Sequence, residues 1–297
     1  MKNRLNRTFR FWFYFFHLFF YSFAFFFFYL KFNLFLETLH VGNLESVLLI
    51  IVTVVTVHSL KSLRLYLSMS TTSIRLSSYL RIYCKVTPIS MLLPFKLGDI
   101  FRVYCYGRTI RSQTKAFFLI LQDRFIDTFA LILILVLSQL FIGGQTTLLT
   151  FVLLFFVFFV LALYIIFPSL YFYWKNYLIE TKSTPNKIKM LRSLRLFYQL
   201  YSEIEFITKG RGLIQLFLSL CAWSIEVSVM VVFLGTKEFN SGILQNISNY
   251  LSAALGAANV SEIETSKFMI ISVFLIAFMY VWIKFHSLFK ERGRVNK

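Results

Sequence analysis

Apolar runs of bilayer-crossing length recur six times along this chain, and they constrain its fold more than any other feature. They cover 11–30, 46–60, 117–142, 148–167, 213–234 and 268–283. A hydrocarbon core about 30 Å thick needs about 20 apolar residues in helical form, so the second and last runs lie near the lower length limit. Backbone N–H and C=O groups find no water in that core, and a run that satisfies its own backbone there is a helix. Composition agrees: 58% of the 297 residues are hydrophobic and 15% charged, where a soluble chain would carry about 25% charged residues. The expected fold is all-α, a polytopic helical membrane protein with about six transmembrane spans plus two re-entrant or interfacial helices. It forms one integral membrane domain, 1–297, divided into a first half, 1–167, a basic linker helix, 173–211, and a second half, 212–297. The first run, followed by Lys31-Phe32-Asn33 in place of a small-residue cleavage site, reads as a retained anchor.

The net charge of +18 would point to nucleic acid in a soluble chain. Topology accounts for it instead. With six spans and a cytoplasmic N-terminus, only Lys31, Lys237 and Lys267 among 31 basic residues fall in outer loops, and Arg124 falls within a span. All others lie inside, as the positive-inside rule requires, so both termini are expected in the cytoplasm and no nucleic-acid partner is implied. The cysteines, Cys84, Cys105 and Cys221, are odd in number and widely spaced, and His17, His40, His58 and His286 are scattered without an HExxH motif. Neither a disulfide framework nor a metal or cofactor site follows.

Two stretches fit neither a span nor an ordinary loop. The segment 77–97 is interrupted by Arg81, Lys85 and Pro88, and 243–260 is short and rich in small residues. Both read as re-entrant segments, or as a surface-lying helix and a loop. The linker carries Leu191, Leu194, Leu196, Phe197, Leu200 and Tyr201 at helical spacing behind Lys187, Lys189, Arg192 and Arg195. That pattern suits a basic amphipathic helix on the inner leaflet, or a connector packed on its own protein.

Ionisable residues inside a span are costly, about 2.5 to 3.5 kcal/mol each on insertion scales, and mark functional positions by default. The third span opens with Gln122, Asp123, Arg124 and Asp127. Asp123 and Asp127 share a helix face, and Arg124 stands three residues before Asp127, within pairing distance. One carboxylate is then left for Arg102 or a proton; the alternative is a self-neutralising cluster that locks helices together. Upstream, Pro94 and Gly98 suggest a helix break beside Lys96, Asp99, Arg102 and Arg108. A helix start ringed by cations suits a lipid phosphate, and an interfacial turn with snorkelling basic residues is the plain alternative. Glu226, on the fifth span, faces either Arg124 or Arg102 across the bundle, or a neighbouring Ser224 or Trp223.

The order Pro94-x-x-x-Gly98-Asp99-x-x-Arg102, Gly107-Arg108, Ser112-x-x-x-Ala116 and Asp123-Arg124-x-x-Asp127 resembles the signature of the flippase-like membrane domain of lysylphosphatidylglycerol synthases. Leu63-Arg64-Leu65-Tyr66 fits it too. The family's second half usually carries Pro-Gly-Gly-x-Gly ending in Glu, whereas this chain has Gly256-Ala257-Ala258-Asn259-Val260-Ser261-Glu262, with Glu262 as the acidic counterpart. The resemblance implies a bacterial inner-membrane protein that binds and translocates an anionic phospholipid or polyprenyl-phosphate glycolipid in cell-envelope or surface-polysaccharide biogenesis. It brings no aminoacyl-transfer domain, so lysine addition is not implied. Substrate contacts would come from Pro94, Lys96, Gly98, Asp99, Arg102, Arg108, Asp123, Arg124, Asp127, Glu226 and Glu262. Two other readings stand beside it: a non-transporting partner of envelope-biosynthesis enzymes in a polysaccharide-assembly complex, and a lipid-linked glycosyltransferase-type enzyme. The sequence leaves the oligomeric state open.

Overall fold

Each of the six apolar runs lies in a helix whose described residues extend past the run or match it to within two positions. The computed structural model describes residues 2–30, 44–72, 74–93, 97–142, 148–180, 184–233 and 270–285. Among them are eight α-helices: α1 (Lys2–Leu30), α2 (Leu44–Ser68), α3 (Leu76–Leu92), α4 (Leu97–Ile110), α5 (Gln113–Ile142), α6 (Leu148–Glu180), α7 (Pro185–Phe233) and α8 (Ile270–Phe285). The chain is a polytopic helical membrane protein. Leu48–Ser68, Phe151–Glu180 and Pro185–Val229 are long and apolar enough to cross a membrane by length and composition, and Tyr14–Tyr29 and Ile270–Phe285 are shorter apolar helices. The run at 46–60 is short because its helix does not stop there. It continues through Lys61 and Arg64 to Ser68, and those two charges are neutralised by neighbouring helices.

Helices α2, α5 and α7 form the centre. Two apolar layers hold them together: Val54, Ala130, Leu131, Leu135, Trp223 and Val227 toward one end, and Leu65, Met69, Tyr79, Tyr83, Tyr106, Leu119, Ile120 and Ile207 toward the other. A layer of polar and charged side chains lies between. Helix α1 packs outside this centre, where Phe20 and Ala24 meet Val86, Ile89, Leu93 and Phe101 of α3 and α4. Helix α6 is peripheral, with Phe155, Phe158 and Ile165 exposed as lipid-facing bulk.

The interrupted segment at 77–97 holds nearly all of α3, which packs against α4 as one arm of a helical hairpin. Helix α3 runs unbroken through Pro88, which is buried, and ends at Leu92 with the Leu93 N–H bonded to the Ile89 carbonyl at 3.1 Å. Helix α4 then starts at Leu97. The two helices approach so closely that a Cβ on Gly98 would stand 2.7 Å from the Ser90 Cβ and collide with the Ser90 backbone. Only glycine fits there. The other segment singled out, 243–260, lies outside the described residues.

The corner between α4 and α5 is tight. Arg111 adopts a left-handed φ of 62°, and the Ser112 N–H reaches back to the Gly107 carbonyl at 2.9 Å, the six-to-one bond of a helix C-terminus closed by a left-handed residue. Ser112 Oγ then accepts the Lys115 N–H, starting α5. A non-glycine residue at that φ costs about 1 kcal/mol, so Arg111→Gly should raise the thermal midpoint of the purified protein by a few degrees. An unchanged or lower midpoint would contradict this geometry.

The described residues of the basic linker at 173–211 belong mainly to the end of α6 and the first part of α7, which continues without a break to Phe233. The two helices pair antiparallel through aromatic rings: Tyr171 stacks on Tyr198 with centroids 4.1 Å apart, and Tyr164 and Phe167 flank Tyr201. Leu200 is buried and Leu191 and Leu194 are half-buried, while Leu196 and Phe197 are exposed.

Candidate functional site

The polar layer is built on the antiparallel packing of α2 and α7, whose contacts recur turn by turn. Ser68 meets Gln215, Arg64 meets Ser219, and Lys61 meets Trp223 and Glu226. Helix α5 supplies the third wall. Arg64, 3% exposed, donates from Nε to Asp123 Oδ1 at 2.8 Å and from Nη2 to Oδ2 at 3.0 Å, a bidentate pair. Its Nη1 also bonds Asp127 Oδ1 and the Ser219 hydroxyl, the latter at 2.7 Å. Asp127 Oδ1 accepts two further bonds, from Ser219 Oγ at 2.9 Å and Trp223 Nε1 at 3.1 Å. One turn away, Lys61 Nζ lies 2.6 Å from Glu226 Oε2 and 4.8 Å from the Trp223 ring centroid, a cation–π contact.

A second cluster sits at the hairpin. Asp99, in the first turn of α4, accepts on one oxygen from Arg124 Nε at 3.0 Å and Nη2 at 2.7 Å. The same oxygen is 3.9 Å from Arg102 Nη1. Arg102 Nε donates to Ser90 Oγ at 3.0 Å, which ties α4 to α3. Arg102 is largely buried, and its charge acts on His58 and Tyr106. The His58 Nε2 and Tyr106 hydroxyl are both buried and meet no protein partner among the described residues.

These clusters share out charge unequally. Arg64 faces two carboxylates, Asp123 and Asp127, whereas Asp99 alone faces two guanidiniums, Arg102 and Arg124. The hairpin therefore holds a surplus of positive charge beside groups with unused hydrogen-bonding capacity. Arg124 leaves 39% of its side chain accessible, so the surplus can be reached from outside the packed core.

The sequence expectations resolve residue by residue. Gly98, Asp99, Arg102, Asp123, Arg124, Asp127 and Glu226 do come together in the polar layer and hairpin. The expected pairings do not hold: Arg124 bonds Asp99 instead of Asp127, the carboxylates of Asp123 and Asp127 are met by Arg64 instead of Arg102 or a proton, and Glu226 is met by Lys61. Arg124 follows Asp123 directly and points some 100° round the helix from it, toward α4, while the face shared by the two aspartates turns toward α2. Arg108 lies exposed on another face of α4. Pro94, Lys96 and Glu262 lie outside the described residues.

Lys61, Ser90 and Ser219 are functional-site residues that sequence reasoning missed, while Arg64 was noted only as fitting the family pattern and Trp223 only as a neighbour of Glu226. Lys61 and Arg64 stand three apart just past an apolar run, where basic residues ordinarily snorkel to the interface. Their signal was the mismatch between a short run and two unpaired intramembrane carboxylates elsewhere. Among the described residues, no three His, Cys, Asp or Glu side chains form a group that could hold a metal ion.

A family model described as the lysylphosphatidylglycerol synthase TM region matches residues 14–261. No curated protein and no solved structure matches the chain.

Proposed function

Because the chain belongs to the lysylphosphatidylglycerol synthase transmembrane-region family, a flippase-like and lipid-related type of integral membrane protein, we propose that it binds an anionic lipid headgroup at the α3–α4 hairpin and carries it across the bilayer. The ligand is an anionic phospholipid or a polyprenyl-phosphate glycolipid, and the setting is envelope or surface-polysaccharide biogenesis at a bacterial inner membrane with both termini cytoplasmic. The observation that carries this reading is the placement of Arg102 and Arg124 around the single carboxylate of Asp99.

A phosphate is the second anion such a site lacks. It would accept from the guanidinium N–H groups of Arg102 that Ser90 does not use, and from Arg124 as Asp99 shifts between the two arginines. The buried Tyr106 hydroxyl and His58 Nε2 leave further hydrogen-bonding capacity unused in the same bundle. The acyl chains stay in lipid throughout, since only the headgroup needs a polar path. The Arg64 network lies further along that path and fixes α2, α5 and α7 against one another. In this account it is the frame on which the hairpin works.

Binding is testable apart from movement. A photoactivatable phosphatidylglycerol analogue should label the wild-type protein in bilayers, and Arg102→Gln with Arg124→Gln should cut labelling at least tenfold, as losing charged hydrogen bonds of about 1.5 to 3 kcal/mol each requires. A zwitterionic phosphatidylcholine analogue should label both proteins equally weakly. Equal labelling of wild type and double variant by the anionic analogue would sink the reading.

A further inference from the structure

Arg102 and Arg108 were singled out together in the sequence, yet six residues of helix place them about 120° apart around α4. Arg102 turns inward to Ser90 and Asp99, whereas Arg108 is exposed on the outer flank, where α1, α3 and α4 meet. That flank gathers further basic groups. Lys85 of α3 places Nζ 3.1 Å from Nε2 of His17 on α1. A lysine ammonium only donates, so the imidazole accepts through Nε2 and is neutral in this contact. The His17 ring is held edge-on to both Phe101 and Tyr104 of α4, with centroids 5.6 Å away in each case. Tyr104 hydrogen-bonds Arg108, and Lys85 and Arg108 both lie near enough to Cys105 to act on its thiol. Arg81, exposed one turn before Lys85, extends the patch along α3.

The acidic side of the balance is missing from these helices. Neither α1 nor α3 contains an Asp or Glu, and the one acidic residue of α4, Asp99, faces the interior and is bonded to Arg124. Cations from two helices thus converge on one flank of a membrane-embedded bundle, positioned by a histidine and a tyrosine, on surfaces with no carboxylate of their own. Basic pockets between transmembrane helices are headgroup sites.

We propose that Arg81, Lys85 and Arg108, positioned by His17 and Tyr104, form a second lipid site on the outer flank of α1, α3 and α4, occupied by the phosphodiester of a resident anionic phospholipid. It is separate from the translocation site at Asp99, Arg102 and Arg124. It rests on the functional reading only for the leaflet: with the cytoplasmic N-terminus proposed above and two crossings by α1 and α2, α3 and α4 follow on the cytoplasmic side and the lipid belongs to the inner leaflet. A lipid bound there braces α1 against the α3–α4 hairpin, the element that carries the translocation site.

The test is lipid retention by the purified full chain. Native mass spectrometry after detergent exchange should show phosphatidylglycerol retained on the wild-type protein in preference to phosphatidylcholine. Lys85→Gln with Arg108→Gln should lower apparent phosphatidylglycerol affinity tenfold or more, and the charge-preserving pair Lys85→Arg with Arg108→Lys should retain most of it, which separates loss of the site from misfolding. Arg102→Gln with Arg124→Gln, which removes the hairpin site, should still retain phosphatidylglycerol, and adding Lys85→Gln and Arg108→Gln to it should abolish that retention, so the two sites fail independently. Retention of phosphatidylcholine as well as phosphatidylglycerol by wild type would show cations merely snorkelling to the interface. That result, or full retention by the neutral double variant, would overturn the proposal.

Discussion

Arg64→Ala is expected to destabilise the protein by roughly 3–5 kcal/mol, the cost of removing one partner from a buried ion pair. The effect is large because the guanidinium satisfies several groups at once: both oxygens of Asp123, one of Asp127 and the Ser219 hydroxyl. Without it two carboxylates remain between apolar layers, and α2, α5 and α7 lose their shared contact. Arg64→Lys should recover only part of the loss, since an ammonium cannot present the planar fork that engages Asp123 through two bonds. Arg64→Met combined with Asp123→Asn and Asp127→Asn should recover more, because the unpaired charges are gone. Thermal melting of detergent-purified variants checks the ranking. An Arg64→Ala protein as stable as wild type would mean that the network contributes nothing to holding the bundle.

Gly98→Ala is the second large effect. Its new Cβ would meet the backbone of Ser90, which cannot rotate away as a long side chain could, so α3 and α4 must move apart. Overpacking of this kind costs about 1–3 kcal/mol, and its functional consequence should exceed its cost in stability. Moving α4 breaks the Arg102–Ser90 bond and displaces Asp99 from Arg124. The variant should still fold but lose the anionic-lipid photolabelling described above. Wild-type labelling by Gly98→Ala would show that the close approach of the two helices does not shape the site.

Much of the fold was legible in the sequence because bilayer solvation leaves few choices. A run such as 148–167, with bulky apolar residues on every face, can only be a lipid-facing helix, and α6 is one. The limits of α2 were not legible. Reading its end at Leu60 treats Lys61 and Arg64 as interfacial, which is the usual fate of basic residues at that position. Their true partners lie on α5 and α7, 59 residues away for Asp123 and 165 for Glu226, and no local pattern reports a contact at that separation. The aspartates of α5 were recognisable as intramembrane charges needing partners. Which cation served which carboxylate depended on helix rotation, and the i, i+3 relation of Arg124 to Asp127 pointed to the wrong one. Gly98 was read correctly as a point of close approach because the pairing of Pro94 with Gly98 encodes a break locally. The length of α7 was hidden for the opposite reason: the change from basic to apolar composition near residue 212 suggests a boundary, yet nothing in that stretch stops a helix, and Gly210 and Gly212 are accommodated within it.

The central claim is that the surplus positive charge at the hairpin serves a lipid headgroup in transit, and transport in proteoliposomes tests it most directly. Wild type, Arg102→Gln with Arg124→Gln, and Asp99→Asn would be compared for movement of fluorescent phosphatidylglycerol and polyprenyl-phosphate glycolipid analogues between leaflets, at matched folded protein. The account predicts that wild type moves at least one anionic class and leaves phosphatidylcholine behind. The double arginine variant should fall to the protein-free rate, and Asp99→Asn should bind the headgroup but release it slowly. Wild-type protein that is folded, labelled by the anionic probe and yet moves neither class would contradict the claim and leave a binding protein in place of a translocator.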